Sequence, residues 1–417
     1  MIKQTVVIVG SGQAGFQTAA SLRLEGFEGE IILFGDEPGL PYQRPPLSKT
    51  YFADADAQRL LFRNADFFQR NRIKLWDNAR AARIHRDRKE VELEDGRTIA
   101  YDKLVLALGT KNRELPIPGT RLANVLQLRT LKDADLLRHA AKNASRAVMI
   151  GGGFIGLEVA SVLRGEGLEV SIIELEPRVM ARAVSKPISA HYEQLHAASG
   201  VEFHLEESVT SLTGNKKGEV EALTLSDGTR LNADLVVVCA GVVPDIAIAQ
   251  EAGLAVENGI RVDAHLRTDD PDIFAIGDCA SFVHAASNRL VRIESVQNAL
   301  DQAKCVAKNI AGQKGAQPQA YDRVAWFWSD QAGTKLQIAG LTGPADQWHV
   351  CQSDSPEKLT VLAFKDSQFI GAETVNNASD HMTARKILSG RDKVSFKDFE
   401  SSGFDLRRLA REKTRTG

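Results

Sequence analysis

Two apolar runs of the sequence each lead into a glycine-rich turn and then into a helical pattern. The runs cover residues 6–9 and 148–150, and apolar residues at helical spacing follow both turns. A strand, a tight glycine turn and a helix, in that order, are typical of the loop that binds the diphosphate of a dinucleotide at a helix N-terminus. The sequence predicts two such loops, with the binding glycines Gly10, Gly12 and Gly15 in the first and Gly151, Gly153 and Gly156 in the second.

The repeat extends beyond the glycines. In both halves a second strand ends at an acid, an Asp-Gly pair within alternating residues predicts a hairpin, and a later apolar strand ends at a glycine. A carboxylate at the end of the second strand can accept hydrogen bonds from a ribose. We therefore predict an α/β fold with two Rossmann-like dinucleotide-binding domains. The repeated features are the acids Asp36 and Glu174, the pairs at 95–96 and 227–228, and the terminal glycines Gly109 and Gly241.

Composition narrows the function classes. The chain has 417 residues, a net charge of −2 and 25% charged residues, so it lacks the basic excess that binds nucleic acid or anionic lipid. A strand pattern begins at Thr5, and no apolar run approaches the ~20 residues that span a bilayer, so we expect neither a signal peptide nor a membrane segment. The four cysteines are scattered without metal or dithiol spacing, which predicts no metal site and favours a reducing cytoplasm.

A short strand pattern near residue 273 delivers Asp278 just after a glycine, and several longer motifs accompany it. Together with the first glycine turn, this pattern resembles the FAD-dependent NADH:ferredoxin reductases that serve bacterial cytochrome P450s and aromatic-ring dioxygenases. The resemblance covers nearly the whole chain. Its carriers are the stretches 35–36, 41–49 (PYQRPPLSK), 128–131 (LRTL), 151–158, 292–298 (RIESVQN) and 326–331 (WFWSDQ).

The resemblance implies a glutathione-reductase-like architecture with an added C-terminal α/β domain. It places a discontinuous FAD-binding domain at 1–113 and 242–317, an NAD-binding domain at 114–241 and the C-terminal domain at 318–417. The FAD contacts that it implies, beside the first glycine turn, are Ala14, Asp36, Arg44, Pro45, Lys49, Ala81, Arg129, Asp278 and Val296. The further cofactor contacts are Ile155, Glu174, Arg182 and Gly241.

The acid at 174 predicts the choice of nicotinamide nucleotide. A carboxylate accepts a hydrogen bond from a free ribose 2′-hydroxyl but repels a 2′-phosphate, so Glu174 favours NADH over NADPH. Arg178 and Arg182 lie close in sequence and oppose this reading, since an arginine can meet a phosphate.

Hydride transfer to a flavin needs orientation and a tuned flavin more than protein acid and base groups. By resemblance, Lys49 is the cation that tunes the flavin, Glu158 pairs with it, and Trp328 shields the flavin near the electron exit. The alternatives remain that Lys49 is an exposed loop lysine, that Glu158 is an ordinary helix acid, and that Trp326 and Trp328 pack in the core. The prolines of PYQRPPLSK predict one extended arm, with Ser48 as the N-cap of a helix that begins at Lys49.

The absence of an early thiol predicts how electrons leave. Disulfide reductases of this architecture keep a cysteine pair in the first FAD helix, whereas this chain has no cysteine before Cys239. The resemblance therefore implies one-electron transfer to a [2Fe–2S] ferredoxin by a monomer or weak dimer. The basic residues expected to receive the ferredoxin are Arg407, Arg408, Arg411, Lys413 and Arg415, with Lys335 and Arg63 as outlying candidates.

Three alternatives stay open at this point. The basic C-terminus also fits a solvated helix face or a frayed tail. The enzyme could be an NADH oxidase that passes electrons to oxygen. It could also be an NADH-sensing flavoprotein that resembles apoptosis-inducing factor and controls association instead of turnover.

Overall fold

The protein is described from a computed structural model that covers residues 4–312, 317–353, 355–390 and 392–416, with side chains up to Glu412. The described strands are β1 (Thr5–Val9), β2 (Glu30–Phe34), β3 (Ile73–Trp76), β4 (Ala81–His85), β5 (Glu90–Leu93), β6 (Thr98–Ala100), β7 (Lys103–Leu106), β8 (Thr110–Asn112), β9 (Val125–Leu126), β10 (Arg146–Ile150), β11 (Glu169–Glu174), β12 (Val201–Leu205), β13 (Val209–Gly214), β14 (Val220–Leu225), β15 (Arg230–Asn232), β16 (Leu235–Val238), β17 (Val242–Pro244), β18 (Ile260–Val262), β19 (Ile273–Ala275), β20 (Ala280–His284), β21 (Arg289–Val291), β22 (Trp326–Gln331), β23 (Thr334–Gly340), β24 (Gln347–Val350), β25 (Leu359–Lys365) and β26 (Gln368–Val375).

The α-helices of the same residues are α1 (Gln13–Leu24), α2 (Thr50–Asp54), α3 (Ala65–Arg70), α4 (Leu131–Ala141), α5 (Phe154–Gly165), α6 (Lys186–Ala198), α7 (Ala247–Glu251), α8 (Val296–Ala311), α9 (Ala378–Leu388), α10 (Phe396–Ser401) and α11 (Leu406–Thr416). Short 3₁₀ turns occur at Pro45–Ser48, Ala57–Leu60 and Gly277–Cys279.

The chain divides into two units. The first consists of Met1–Gln43, Gln58–Lys111 and Val242–Arg323 within the described residues. Its main sheet has the strand order β19-β7-β1-β2-β3, all parallel. Strand β1 lies in the centre and is buried on both faces, which explains why residues 6–9 are apolar without alternation. Helix α1 packs against α8 beside this sheet.

The second unit consists of Arg44–Ala57, Asn112–Gly241 and Val324–Gly417, again within the described residues. One of its sheets repeats the first unit's arrangement, with the order β12-β11-β10-β16-β9 and β10 in the centre. Another is an antiparallel sheet ordered β22-β23-β26-β25-β24, packed against α9. Its core includes the fully buried rings Phe364 and Phe399.

The predicted internal repeat is confirmed. The order β7-β1-β2-β3 corresponds strand for strand to β16-β10-β11-β12. Each half also carries a three-stranded antiparallel sheet, β4-β5-β6 and β13-β14-β15, whose last hairpins turn at the two predicted Asp-Gly pairs. The contacts define two units where the sequence predicts three domains, and the three-part boundaries stay a prediction.

The segment PYQRPPLSK differs from its prediction in two ways. Pro45–Ser48 forms a 3₁₀ turn instead of one extended arm, because proline fixes φ at a value that a helical first turn also accepts. Helix α2 begins at Thr50 with Lys49 at the N-cap, and the Lys49 side chain makes no capping hydrogen bond in the described residues. Ser48 is therefore not an N-cap, and its hydroxyl donates to Glu158 instead.

The described part of the chain lacks both a membrane-spanning helix and a cluster of metal-binding side chains. None of its helices is both long and apolar enough to cross a membrane. It also holds no group of three or more histidine, cysteine, aspartate or glutamate side chains placed to share a metal ion.

Candidate functional site

The first glycine of each predicted turn is required by both conformation and space. Gly10 has φ of 103° and Gly151 has φ of 114°, a region that residues with a side chain rarely adopt. A Cβ on Gly10 would lie 2.2 Å from the Ala107 carbonyl oxygen, and one on Gly151 would lie 2.4 Å from the Cys239 carbonyl oxygen. In both halves the turn therefore rests against the end of the closing strand.

The other glycines of the turns divide into a packing position and an open position. A Cβ on Gly15 would lie 1.8 Å from the Gly10 oxygen, and one on Gly156 would lie 2.1 Å from the Gly151 oxygen, so these glycines allow helix and turn to pack. A Cβ on Gly12 or Gly153 would meet no described atom within 4 Å.

The open position coincides with an uncapped helix end. Gly12 and Gly153 are the N-caps of α1 and α5, and neither helix has a side-chain cap in the described residues. Backbone N–H groups at the start of a helix have no partner within the helix. Both turns therefore present N–H donors beside open space, which fits the diphosphates of two dinucleotides.

The open position makes a prediction that separates binding from folding. Gly153→Ala adds a methyl group where the protein has room for it but where a diphosphate would approach, so we expect the KM for NADH to rise about tenfold, with only the small loss of thermal stability that alanine causes at an N-cap. Gly165→Ala, at the other end of α5 and equally free of neighbours, is the matched control and leaves KM unchanged. An unaltered KM in Gly153→Ala would contradict the assignment of this turn to the nucleotide.

The two acids predicted to bind ribose, Asp36 and Glu174, differ in their surroundings. Asp36 is exposed after β2. Glu174 accepts hydrogen bonds from the backbone N–H groups of Gly152 at 2.7 Å and Glu176 at 2.9 Å. A carboxylate has about four acceptor positions, so Glu174 retains capacity for a ribose hydroxyl. Its bond to Gly152 fixes the carboxylate at the glycine turn.

The two arginines that opposed the NADH prediction also differ. Arg178 donates to the carbonyl oxygens of Val184 at 2.9 Å and Ala181 at 2.6 Å, so its guanidinium is committed to the backbone. Arg182 is exposed. A Cβ on Gly241, which has φ of 88°, would lie 3.8 Å from Nη2 of Arg182.

The turn that carries Asp278 is held by a residue that the sequence did not single out. The Gly277 N–H donates to Oε1 of Gln302, on α8, at 2.7 Å. The other end of this amide, Nε2, is buried with no partner among the described residues. Asp278 itself is half-buried. An unpaired buried donor beside this turn is suited to an acceptor that the protein does not supply, such as an oxygen of FAD.

The predicted pair of Lys49 and Glu158 is present in the second unit. The distance from Nζ of Lys49 to Oε2 of Glu158 is 2.8 Å, and the side chains are 19% and 5% exposed. Ser48 Oγ donates to the same oxygen at 2.6 Å, and Ser329 Oγ donates to Oε1 at 2.5 Å. Lys49 is therefore not a solvated loop lysine, and Glu158 is not an ordinary helix-surface acid.

The tryptophans lie on strand β22 as the alternation predicts. Trp326 and Trp328 are half-buried, with ring centroids 5.5 Å apart. The Arg385 guanidinium lies 4.7 Å from the centroid of the Trp326 ring, which gives that ring a packing and cation–π role.

The two residues between Gly153 and Gly156 differ in their surroundings. Phe154 packs on Phe327 with ring centroids 4.6 Å apart, so it belongs to the packing of α5 and β22. Ile155 is 40% exposed and stays a candidate nicotinamide contact.

The remaining predicted FAD contacts are divided between the two units. Ala14 on α1 and Ala81 on β4 are buried, and Val296 is the first residue of α8. In the second unit, Nη1 of Arg44 donates to the Arg129 carbonyl oxygen at 2.7 Å, and Pro45 begins the 3₁₀ turn. This hydrogen bond links Arg44 directly to Arg129, and both are predicted FAD contacts.

The basic residues of the predicted docking surface are partly paired. Lys335 lies 3.0 Å from Asp330, and Arg408 lies 3.0 Å from Glu412. Helix α11 buries Leu406 and Leu409, so it is docked and not a frayed tail over the described side chains. Arg63 lies on the first unit, where it covers the Phe67 ring. The side chains of Lys413 and Arg415 lie outside the described residues.

Comparison with known proteins agrees with this geometry. Residues 4–303 match the pyridine nucleotide-disulphide oxidoreductase family, and residues 326–410 match the reductase C-terminal family. The chain is 45% identical to rhodocoxin reductase of Rhodococcus erythropolis, over 98% of this chain and 95% of the relative. It is also similar to two solved structures.

The first is the ferredoxin reductase for the CYP199A2 system of Rhodopseudomonas palustris, with 44% identity and a TM-score of 0.93 over 98% of this chain and 100% of the other. The second is the covalent putidaredoxin reductase–putidaredoxin complex, with 37% identity and a TM-score of 0.92 over 98% of both chains. The chain therefore belongs to the pyridine nucleotide-disulphide oxidoreductase family, among its ferredoxin reductases, and is an oxidoreductase that depends on FAD and NAD(H).

Proposed function

We propose that the protein oxidises NADH and delivers electrons singly to a [2Fe–2S] ferredoxin of a cytochrome P450 or aromatic-ring dioxygenase system. Bound FAD supplies the chemistry, since it accepts a hydride and releases electrons one at a time. The observation that carries the proposal is that the sequence has no cysteine before Cys239, so none lies in the predicted FAD-binding segment 1–113. No thiol of that segment can receive the electron pair, so a one-electron protein acceptor fits.

The cofactors are assigned to the two repeated turns. The glycine turn of the first unit, with Ala14, Asp36, Ala81, Asp278 and Val296, is proposed to hold FAD. Arg44, Pro45, Lys49 and Arg129 are proposed as further FAD contacts. The second turn, with Ile155, Glu174, Arg182 and Gly241, is proposed to hold the nicotinamide nucleotide. The uncapped N-termini of α1 and α5 support both assignments.

Within this proposal the protein contributes charge and shielding. Lys49 supplies a positive charge that favours negative charge on the flavin, and Glu158 holds the lysine in place at 2.8 Å. Trp328, half-buried on β22, limits solvent access to the flavin. The ion pair of Lys49 with a hydrogen-bonded Glu158 supports this role more strongly than the presence of a lysine at position 49 does by itself.

Glu174 predicts a measurable preference between the nucleotides. We expect kcat/KM for NADH to exceed that for NADPH by at least about tenfold, because the carboxylate repels a 2′-phosphate while Arg178 is committed to backbone oxygens. Glu174→Gln keeps the bond from the Gly152 N–H but removes the charge, and should narrow the ratio. A wild-type enzyme that prefers NADPH would show that Glu174 does not act on the ribose.

The acceptor is tested by NADH turnover against a panel of purified [2Fe–2S] ferredoxins and a rubredoxin, at low and high salt. Proposed docking on Arg407 and Arg411, both exposed on α11, predicts that kcat/KM for the preferred ferredoxin falls as ionic strength rises. The double change of these arginines to glutamate should remove most of that salt dependence, whereas Arg230→Glu should not. Equal or faster NADH consumption with oxygen alone would favour an oxidase instead.

The cellular compartment is part of the proposal. All four cysteines are unpaired. Free thiols persist in a reducing compartment, so a cytoplasmic location is proposed.

A further inference from the structure

A chain of buried polar side chains extends from the Lys49–Glu158 pair into the interior of the second unit. Ser329 Oγ donates to Oε1 of Glu158 at 2.5 Å, and Nε2 of Gln331 donates to Ser329 Oγ at 3.2 Å. Oε1 of Gln331 lies 2.9 Å from Nε2 of His196, on α6. Ser329, Gln331 and His196 are all almost completely buried.

The chemistry of these groups gives the chain one direction. An amide oxygen can only accept, so His196 carries its hydrogen on Nε2. The single hydroxyl hydrogen of Ser329 goes to the carboxylate, so Ser329 accepts from the Gln331 amide. The donors that link His196, Gln331 and Ser329 therefore all point toward Glu158, and Nε2 of Gln331 also donates to Sδ of Met180 at 3.9 Å. Successive hydrogen bonds of one direction polarise each other, and such a chain stabilises the negative charge at its end.

The chain ends at a neutral histidine. Burial lowers the pKa of His196, while its bond to Gln331 opposes that shift. Nδ1 of His196 is buried and has no partner among the described residues. His196 thus acts as a fixed donor at neutral pH, and its one N–H is directed at Gln331.

We infer that His196, Gln331 and Ser329 are positioning residues that hold the Glu158 carboxylate, and through it set the place and effective charge of Lys49. This inference rests on the proposed action of Lys49 on the flavin. Lys49 and Ser48 both bind Oε2 of Glu158, whereas Ser329 binds Oε1. Without Ser329 held by Gln331, the carboxylate loses the partner that fixes its rotation.

The test uses the full-length protein loaded with FAD and compares Gln331→Met with wild type. Methionine keeps the length of the side chain but cannot donate to Ser329, and its thioether sulfur is only a weak acceptor for His196. A matched control is Tyr192→Phe. Tyr192 lies one turn before His196 on the same helix. Its change to phenylalanine removes a part-buried bond, that with Thr334 Oγ1 at 3.2 Å, while Thr334 keeps its bond to the Gln331 carbonyl oxygen at 3.0 Å and every side-chain bond of the chain stays in place.

Two readouts go beyond turnover. The first is the midpoint potential of the flavin, measured by spectroelectrochemistry. Gln331→Met should disfavour flavin reduction by about three- to tenfold in the equilibrium constant, in the same direction as Lys49→Met. The second is the rate of Lys49 acetylation by a small anhydride, followed by mass spectrometry, which should rise by a similar factor. Tyr192→Phe should change neither.

A second variant covers a folding failure of the first. His196→Phe removes the terminal donor, and His196→Gln restores a donor at similar reach, so the potential and the labelling rate should shift in the first and return in the second. Unchanged labelling and potential in Gln331→Met, beside a shifted potential in Lys49→Met, would overturn the inference and leave the proposed function standing. Faster acetylation of Lys49 in Gln331→Met, with the flavin potential unchanged in both Gln331→Met and Lys49→Met, would support the positioning of Lys49. The same result would overturn the proposed action of Lys49 on the flavin.

Discussion

Replacing Lys49 with methionine is expected to slow flavin reduction by NADH about a hundredfold, the range seen when one preorganised electrostatic group is lost. The substitution removes the positive charge and also leaves Glu158, which is 5% exposed, without its cation. Serine hydroxyls remain on both of its oxygens but cannot neutralise it. The rate is measured by stopped-flow absorbance of the flavin at saturating NADH.

The control for this experiment is a lysine of ordinary surface character. Lys365 lies 3.0 Å from Asp346 in a half-exposed pair, so Lys365→Met removes the same charge from a solvated site. Its flavin reduction rate should match wild type at equal FAD content. A Lys49→Met rate within twofold of wild type would remove Lys49 from the mechanism.

The second large effect concerns stability, and its origin is Glu373 on β26. This acid is completely buried. Its Oε2 accepts from the backbone N–H of Ser185 at 2.9 Å, and its Oε1 accepts from Thr342 Oγ1 at 2.8 Å. Ser185 is the N-cap of α6, so a carboxylate from β26 binds the backbone N–H of the N-cap residue, as the N3 acid does in a capping box.

Glu373→Ala should lower the free energy of unfolding by about 2–4 kcal/mol, because it leaves the Ser185 N–H and the Thr342 hydroxyl without partners and opens a cavity. Glu373→Gln should retain most of the stability, since its amide oxygen can accept from Ser185 and its NH₂ group can donate to Thr342. Urea unfolding followed by circular dichroism gives both values. Faster hydrogen exchange at the start of α6 in the alanine variant would localise the effect.

The pH dependence of stability tests the same site. Burial raises the pKa of Glu373 above its ordinary value of 4.5, while its bonds to Ser185 and Thr342 oppose the rise. The folded state therefore holds this proton more tightly than the unfolded state. Its stabilising contribution is complete below pH 4.5 and is lost as the pH rises through the higher folded value. Glu373→Gln should lack this loss, so its stability relative to wild type should increase as the pH rises above 4.5.

The sequence could predict the repeat because its signals are local. A glycine turn between a strand and a helix, or an Asp-Gly hairpin, is determined by backbone conformation within a few residues. Both copies are where the pattern placed them. The pairing of Lys49 with Glu158 was available only through the family resemblance, since 108 intervening residues carry no local sign of it.

The rest of the candidate site depends on tertiary contacts between polar residues. Ser329 and Gln331 alternate with the tryptophans of β22, which indicates a buried polar face but not its partners. His196 occupies a helix position that looks like ordinary core. The N-cap prediction for Ser48 failed for the same reason, since a buried carboxylate competes for its hydroxyl more strongly than a helix end does.

The contacts of helix α6 limit how chimeras of such reductases can be built. The helix is fastened to the C-terminal strands at both ends, by Glu373 at Ser185 and by Gln331 at His196. Exchanging residues 324–417 for those of a relative would orphan these groups unless the donor supplied the same acid and amide. Residues 324–417 therefore cannot be exchanged between relatives on their own. A chimera made to transfer acceptor preference must also take the face of α6 that contacts these strands from the same donor protein.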